Sequence, residues 1–212
     1  MVKKVLLLAV LALALPLAAF ANSSSIDFTN SGGTLSGGSS GLSLSGSTLI
    51  AVNNWFGSSG IITGSLGSFS FTTGPLLSGS LSGGNATFAN GGSFTINGNG
   101  TNGLPNGVIF SGVFAGNSPV QLQEFSAGST YWYTVSGTIQ GTLSSGSKTF
   151  NTTGATVQLT VFTHKGPLAD GGSVSISSGD TNIVVPEPGT LSLFGTGLIG
   201  LAGLVRRKLN LI

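Results

Sequence analysis

Apolar and polar residues alternate with a period of two along much of this chain, which favours β-structure over helix. The alternation is clearest from Tyr131 to Leu143. The residues predicted to face inward there are Tyr131, Tyr133, Val135, Ile139 and Leu143. Those predicted to face outward are Trp132, Thr134, Ser136, Thr138, Gln140 and Thr142. Because successive side chains of a strand point to opposite faces, this spacing predicts a half-buried strand.

The same pattern recurs elsewhere and is separated by turn signals. It returns over residues 155–161, and in shorter form at Phe69/Phe71, Phe94/Ile96 and Val174/Ile176. Asn-Gly and Asp-Gly pairs, typical of hairpin turns, lie between these segments. We therefore predict an all-β fold: an antiparallel β-sandwich or flattened barrel. The alternative is a β-solenoid, which would need a fixed repeat that the sequence does not show.

Residues 31–84 are the least distinctive part of the body. They are rich in Gly and Ser, as a flexible linker would be, but Leu42/Leu44 and the segment 49–52 also fit short strands. Of these two interpretations, we favour ordered short strands.

The first 21 residues have the three parts of a secretory signal peptide. Lys3 and Lys4 form the positive start, and residues 5–15 form an unbroken apolar run. Ala19 and Ala21 supply the small residues that signal peptidase requires. We predict a signal helix over 1–21 that directs the chain to the export machinery and is cleaved after Ala21.

The C-terminal segment has a different character from the body. Pro186 and Pro188 fix their φ angles and lack N–H donors, so they cannot continue a strand. An uncharged apolar run over 190–205 predicts a transmembrane helix. The basic cluster Arg206, Arg207 and Lys208 follows it. Basic residues stay on the cytoplasmic side, so the body is predicted to face outward from the inner membrane.

The predicted organisation is therefore in three parts. A signal peptide occupies residues 1–21, a β-rich body 22–184, and a C-terminal tail 185–212. Within the tail, residues 185–189 form a motif, 190–205 the helix and 206–208 the basic end.

Charge and cysteine content exclude several classes of site. Between residues 22 and 188 there are two lysines, Lys148 and Lys165, and five acids, which gives a net charge of −3. A nucleic-acid partner is therefore not expected, because phosphates require a basic face. The chain has no cysteine, so disulfides and thiolate metal sites are excluded.

The tail closely resembles the PEP-CTERM sorting tail of Gram-negative bacteria. The residues that carry the resemblance are Val185, Pro186, Glu187 and Pro188, the apolar run and the basic cluster. The resemblance implies an exosortase-like transpeptidase as partner, anchoring in the inner membrane before processing, and a final place at the cell surface or in the extracellular matrix. It also associates the chain with exopolysaccharide and biofilm. The same tail is known as the C-terminal domain of ice-binding proteins.

Few residues are candidates for catalysis or ligand binding. Gly37–Gly41 fits G-x-S-x-G and Gly98–Gly103 fits G-x-G-x-x-G, but neither lies between a strand and a helix, as those mechanisms require. His164 is the only histidine. The acids available for a carboxylate pair are Asp27, Glu124, Asp170 and Asp180. We predict no catalytic, cofactor or metal site.

The resulting functional expectation is a structural or adhesive surface protein without catalysis. The alternative is a surface module that binds glycan or ice. Ice binding would require a regular array, and Thr156, Thr160 and Thr163 are not regularly spaced. The candidate sugar-facing aromatics are Trp55, Trp132, Tyr131 and Tyr133. Trp132 is of particular interest because it falls on the predicted polar face.

Overall fold

The computed structural model describes residues 24–56, 60–145, 148–163 and 166–185. The predicted signal helix over 1–21 and the predicted transmembrane helix over 190–205 lie outside these residues. Within the described ranges, no helix is both long and apolar enough to cross a membrane.

The described residues form thirteen strands. They are β1 (Ser24–Ser31), β2 (Thr34–Gly38), β3 (Gly41–Asn53), β4 (Ile62–Thr72), β5 (Leu76–Ser80), β6 (Asn85–Phe88), β7 (Gly91–Asn99), β8 (Asn106–Phe114), β9 (Val120–Ala127), β10 (Thr130–Ser145), β11 (Lys148–Thr163), β12 (Ser173–Ser175) and β13 (Ser178–Val185). Every pairing with a defined register among them is antiparallel. The prediction of an antiparallel all-β body is confirmed. The arrangement differs from the stacked parallel strands of a β-solenoid.

All strands belong to one sheet, and β10 has a central place in it. The order is β11-β13-β1-β3-β4-β7-β8-β10-β9-β6-β5, with β2 beside β3 and β12 beside β2. β10 pairs with β9 through its first half and with β8 through its second half. Along its other edge it pairs with β11 over almost its whole length. The choice between a sandwich and a flattened barrel stays a prediction.

The Gly/Ser-rich first third of the body is built into this sheet. β2, β3, β4 and β5 all lie within residues 31–84, and β3 alone has 13 residues. Leu42, Leu44 and Leu49 point inward from β3 and are buried. The preference for ordered strands over a linker therefore agrees with the structure, because these leucines supply the apolar face that a strand needs.

The centre of the core is a group of phenylalanine rings. Phe94 in β7 contacts four other buried rings across β4, β7 and β8. These are Phe69, Phe71, Phe110 and Phe114, at centroid distances of 5.3, 6.3, 5.6 and 5.9 Å. Three of the four contacts are edge-to-face, the arrangement that the ring quadrupole favours. In a chain without cysteine, packing of this kind holds the strands together.

The first and last of the described strands, β1 and β13, are neighbours in the sheet. β13 lies between β11 and β1. The Thr29 hydroxyl donates to Asp180 at 3.2 Å, and the Asn182 amide donates to Asp27. These two contacts share one antiparallel register, which places Ser24 opposite Val185. The first and last residues of the described sheet therefore lie beside each other.

Tyr133 in β10 links the sheet to the segment that follows β11. Its ring is fully buried, and its hydroxyl accepts a hydrogen bond from the backbone N–H of buried Leu168 at 2.6 Å. Burial raises the pKa of Tyr133 above its ordinary value, and the nearby Glu124 carboxylate raises it further against the lowering effect of the Leu168 bond. The hydroxyl therefore resists ionisation while the protein is folded.

We expect Tyr133→Phe to lower the free energy of unfolding by about 1–3 kcal/mol, because the Leu168 N–H is left buried and unpaired. A folded pKa above the unfolded value of about 10 stabilises the protein fully below pH 10, and this stabilisation declines as pH rises above it. Urea unfolding at pH 8 and pH 11 measures both effects. Between pH 8 and pH 11, the free energy of unfolding should fall less in Tyr133→Phe than in the wild type. In the control Tyr131→Phe it should fall as much as in the wild type. An unchanged alkaline slope in Tyr133→Phe would contradict this assignment.

Candidate functional site

The two short motifs that imitate catalytic loops are parts of β-hairpins. Ser39 and Ser40 of the G-x-S-x-G match form the turn between β2 and β3. Gly98 of the G-x-G-x-x-G match is near the end of β7, and the remaining residues lead directly into β8. In that loop, Asn102 adopts a positive φ of 54° and donates to the Thr63 carbonyl at 2.7 Å. These residues shape turns between strands, and neither segment precedes a helix.

The acidic residues have separate partners. Asp170 accepts a hydrogen bond from the Leu81 N–H at 2.8 Å and so holds the turn after β5. Glu124 points inward beside Tyr133, its partner in the β9–β10 register. Asp27 and Asp180 face outward on β1 and β13. Among the described residues, no three acidic or histidine side chains are grouped so that they could hold a metal ion. His164 lies outside the described residues.

Two of the four predicted sugar-facing aromatics belong to the core. Trp55 is 6% exposed and packs edge-on against Phe28 at 6.5 Å, and Tyr133 is fully buried. Tyr131 is half-buried and packs against the same core. The candidate surface role is therefore wrong for Trp55 and Tyr133, and the inward direction that the alternation predicts for Tyr133 is confirmed. Trp55 lies just beyond β3, outside any alternating segment, so the sequence did not indicate its direction.

Trp132 does lie on the outer face, and it has an aromatic neighbour on each side. In the sheet register it pairs with Phe125 of β9 and with Phe162 of β11. The rings of Phe125 and Trp132 are nearly parallel, with an interplanar angle of 13° and centroids 6.3 Å apart. Phe125 is 40% exposed and Phe162 is 38% exposed. We call Phe125, Trp132 and Phe162 the aromatic row.

Sequence reasoning found Trp132 but missed its two neighbours. Phe125 follows Glu124 near the end of β9, and Phe162 lies at the end of β11. Each looks like an ordinary apolar strand residue when read alone. They become one surface only through the pairing of three strands, since side chains directly opposite across strands lie next to each other.

A polar row runs beside the aromatic row on the same face. It lies two residues along each strand from the aromatic row. In the sheet register its members are opposite one another: Gln123 of β9, Thr134 of β10, Thr160 of β11 and Asp180 of β13. Asn85 of β6 extends the row at one end, and Thr29 of β1 extends it at the other. Gln123 and Asp180 are exposed, and Thr134 and Thr160 are half-buried. We call Gln123, Thr134, Thr160 and Asp180 the polar row.

The aromatic row lies far from the point where the C-terminal tail begins. Phe162 pairs with Ser178, the first residue of β13. Val185 ends that strand seven residues later, about 23 Å away at the rise of a β-strand. The two rows are therefore near one end of β13, and the tail continues from the other.

The predicted sorting residues lie almost entirely beyond the described part of the chain. Val185 is the last residue of β13. Pro186, Glu187 and Pro188, the signal-cleavage residues Ala19 and Ala21, and the basic cluster Arg206, Arg207 and Lys208 lie outside the described residues.

Comparison with known proteins identifies the tail. Residues 184–208 match the family model of the PEP-CTERM protein-sorting motif. No curated protein and no solved structure matches the chain. The matched segment includes the Pro-Glu-Pro motif, the apolar run and the basic cluster, so the suspected resemblance is confirmed. A motif of this kind indicates processing by an exosortase, export, and a membrane-anchored place at the cell surface.

Proposed function

We propose that this chain, which carries a PEP-CTERM sorting motif, is an exported structural or adhesive protein of the cell surface or extracellular matrix. The observation that carries the proposal is the position of the motif. The matched segment begins at residue 184, at the end of β13, so the sorting signal is joined to an ordered β-sheet body without an intervening domain. The signal peptide predicted over 1–21 would supply the matching export signal.

The proposal includes no catalysis. Two observations support this part of the proposal. The G-x-S-x-G and G-x-G-x-x-G segments form hairpin turns, and the Asp170 carboxylate accepts a hydrogen bond from a backbone N–H. Exopolysaccharide is the proposed partner of the body, because the outer face carries the hydrogen-bonding and aromatic groups that sugars bind. The basic cluster at 206–208 would hold the tail at the cytoplasmic side before processing.

The alternative proposal is a module that binds glycan or ice. One observation bears on ice binding and another on glycan binding. Hydroxyl residues Ser70, Thr95, Ser111 and Thr142 match in register across β4, β7, β8 and β10. This row mixes serine with threonine, whereas ice binding calls for a regular array. The aromatic row favours glycan over ice.

We expect replacement of Pro186, Glu187 and Pro188 by alanine to block processing of the tail. In a host with an active exosortase, the mature wild-type protein should lack residues 190–212, and the triple variant should retain them and stay in the membrane fraction. Peptide mapping by mass spectrometry detects the difference. Pro167→Ala in an exposed loop of the body is the matched control and should be processed normally. A wild-type protein that keeps its tail in that host would overturn the proposal.

A further inference from the structure

We propose that the aromatic row and the polar row together form a binding site for an uncharged polysaccharide. Sugar rings would lie against Phe125, Trp132 and Phe162, and their hydroxyl groups would bond to the polar row. The inference rests on the proposed function in one respect: the proposed location at the cell surface or in the extracellular matrix is where the protein would meet the polysaccharide.

The aromatic row is an exception on this face of the sheet. Its neighbours two residues away are Gln, Thr and Asp, as expected for solvent-facing positions. Scattered exposed apolar residues need no explanation, but contiguous ones indicate an interaction surface. Here three aromatic residues occupy matching positions on three adjacent strands. Two strand spacings extend about 10 Å, enough to contact more than one sugar ring.

Aromatic rings suit a sugar better than a purely apolar partner in this setting. An aromatic ring presents a flat face that carries partial negative charge, which attracts the partially positive C–H groups on the face of a pyranose. The rings of Phe125 and Trp132 are nearly parallel and lie close together, with centroids 6.3 Å apart. A purely apolar partner would place the adjacent Gln123 and Asp180 side chains against apolar surface, which costs free energy unless they are hydrogen-bonded.

The polar row supplies what the hydroxyl groups of a sugar require. Gln123 offers both donors and an acceptor, and the hydroxyls of Thr134 and Thr160 can do either. Asp180 offers charged acceptor oxygens, whose hydrogen bonds are stronger than neutral ones. The Thr29 hydroxyl, 3.2 Å from Asp180 Oδ1, orients that carboxylate toward the outer face of β13.

The charge of the surface selects an uncharged polymer. Asp180 belongs to the polar row and Asp27 lies beyond it on β1, while no described residue of either row is basic. Residues 22–188 together have a net charge of −3. An anionic polysaccharide would therefore be repelled within the screening distance of about 8–10 Å.

Affinity electrophoresis tests the site, with the full chain in mild detergent and gels containing dextran, galactomannan, a mixed-linkage β-glucan or alginate. We expect at least one neutral polymer to retard the protein and anionic alginate not to. Trp132→Ala should weaken the retardation at least about tenfold, as expected for a tryptophan at the centre of a contact. Trp132→Phe, which keeps a ring, should lose less than Trp132→Ala.

Phe56→Ala provides the matched control. Phe56 is 39% exposed, like the members of the aromatic row, but it follows β3 and lies outside the row. It should not change the retardation. Retardation by none of the neutral polymers, equal retardation in Trp132→Ala, or stronger retardation by alginate would each overturn the inference. None of these results would affect the sorting proposal, which is judged by the fate of the tail.

Discussion

Gly67→Ala is expected to lower the free energy of unfolding by about 3 kcal/mol or more, the range of severe backbone effects. Gly67 lies in β4 with a φ of +149°, which residues with a side chain rarely adopt. A Cβ added there would be 1.8 Å from the carbonyl oxygen of Asn97 in β7. Because that oxygen belongs to backbone of the paired strand, β4 and β7 would have to separate to admit the methyl group.

Two other glycines distinguish the steric cost of an added Cβ from the conformational cost of a positive φ angle. Gly60 has no atom within 4 Å of an added Cβ and no positive φ, so Gly60→Ala should be close to neutral. Gly171 has the same open space but a φ of +72°, so Gly171→Ala should cost about 1 kcal/mol. Urea unfolding followed by tryptophan fluorescence ranks the three. The steric argument fails if Gly67→Ala is no less stable than Gly171→Ala.

The sequence was most informative where alternation was long and local. Tyr133, Val135, Ile139 and Leu143 were predicted to face inward, and all four are buried in β10. This succeeds because the direction of each side chain depends only on its position along one strand. The prediction needs no knowledge of which strand is adjacent.

The alternation rule is less reliable where strand pairing is irregular. Register shifts occur between Thr29 and Asn30 in β1 and between Leu44 and Ser47 in β3. The shift in β3 changes which of its residues face the core, so Ser47 is buried although it looks like a surface residue. Asn30 is buried because it continues the inward-facing series of Ile26 and Phe28 in β1, and its amide donates to the Ser47 hydroxyl at 2.6 Å. No local pattern marks such a bulge.

The candidate site was only partly predictable for a related reason. Trp132 could be assigned to the polar face from its own strand, and the structure places it there. Sequence reasoning did not place Phe125 and Phe162 beside Trp132. Only a short turn separates β9 from β10, but Phe162 is thirty residues further along the chain than Trp132. Surfaces built across strands depend on pairings that are distant in sequence. The sorting motif, by contrast, is contiguous and was recognised from its residues alone.

The second large effect concerns the last strand before the sorting motif. A chain spanning 22–185 is expected to fold cooperatively, and one spanning 22–177 is not. β13 lies between β11 and β1, and it pairs with β11 from Thr156↔Val184 to Phe162↔Ser178. Its removal would leave two unpaired edges and uncover the buried side chains Phe28 and Leu159 that face the core beside it.

Circular dichroism and urea unfolding of the two truncated chains provide the measurement. The longer chain should show one cooperative transition, and the shorter one a broad or absent transition with early exposure of Trp55 and Trp132. A cooperative transition at an equal urea concentration in both chains would show that β13 is dispensable. The expected result connects sorting with stability. Cleavage within Pro186–Pro188 would release an intact sheet, because all residues of β13 precede Pro186. Cleavage only a few residues earlier would remove part of an interior strand.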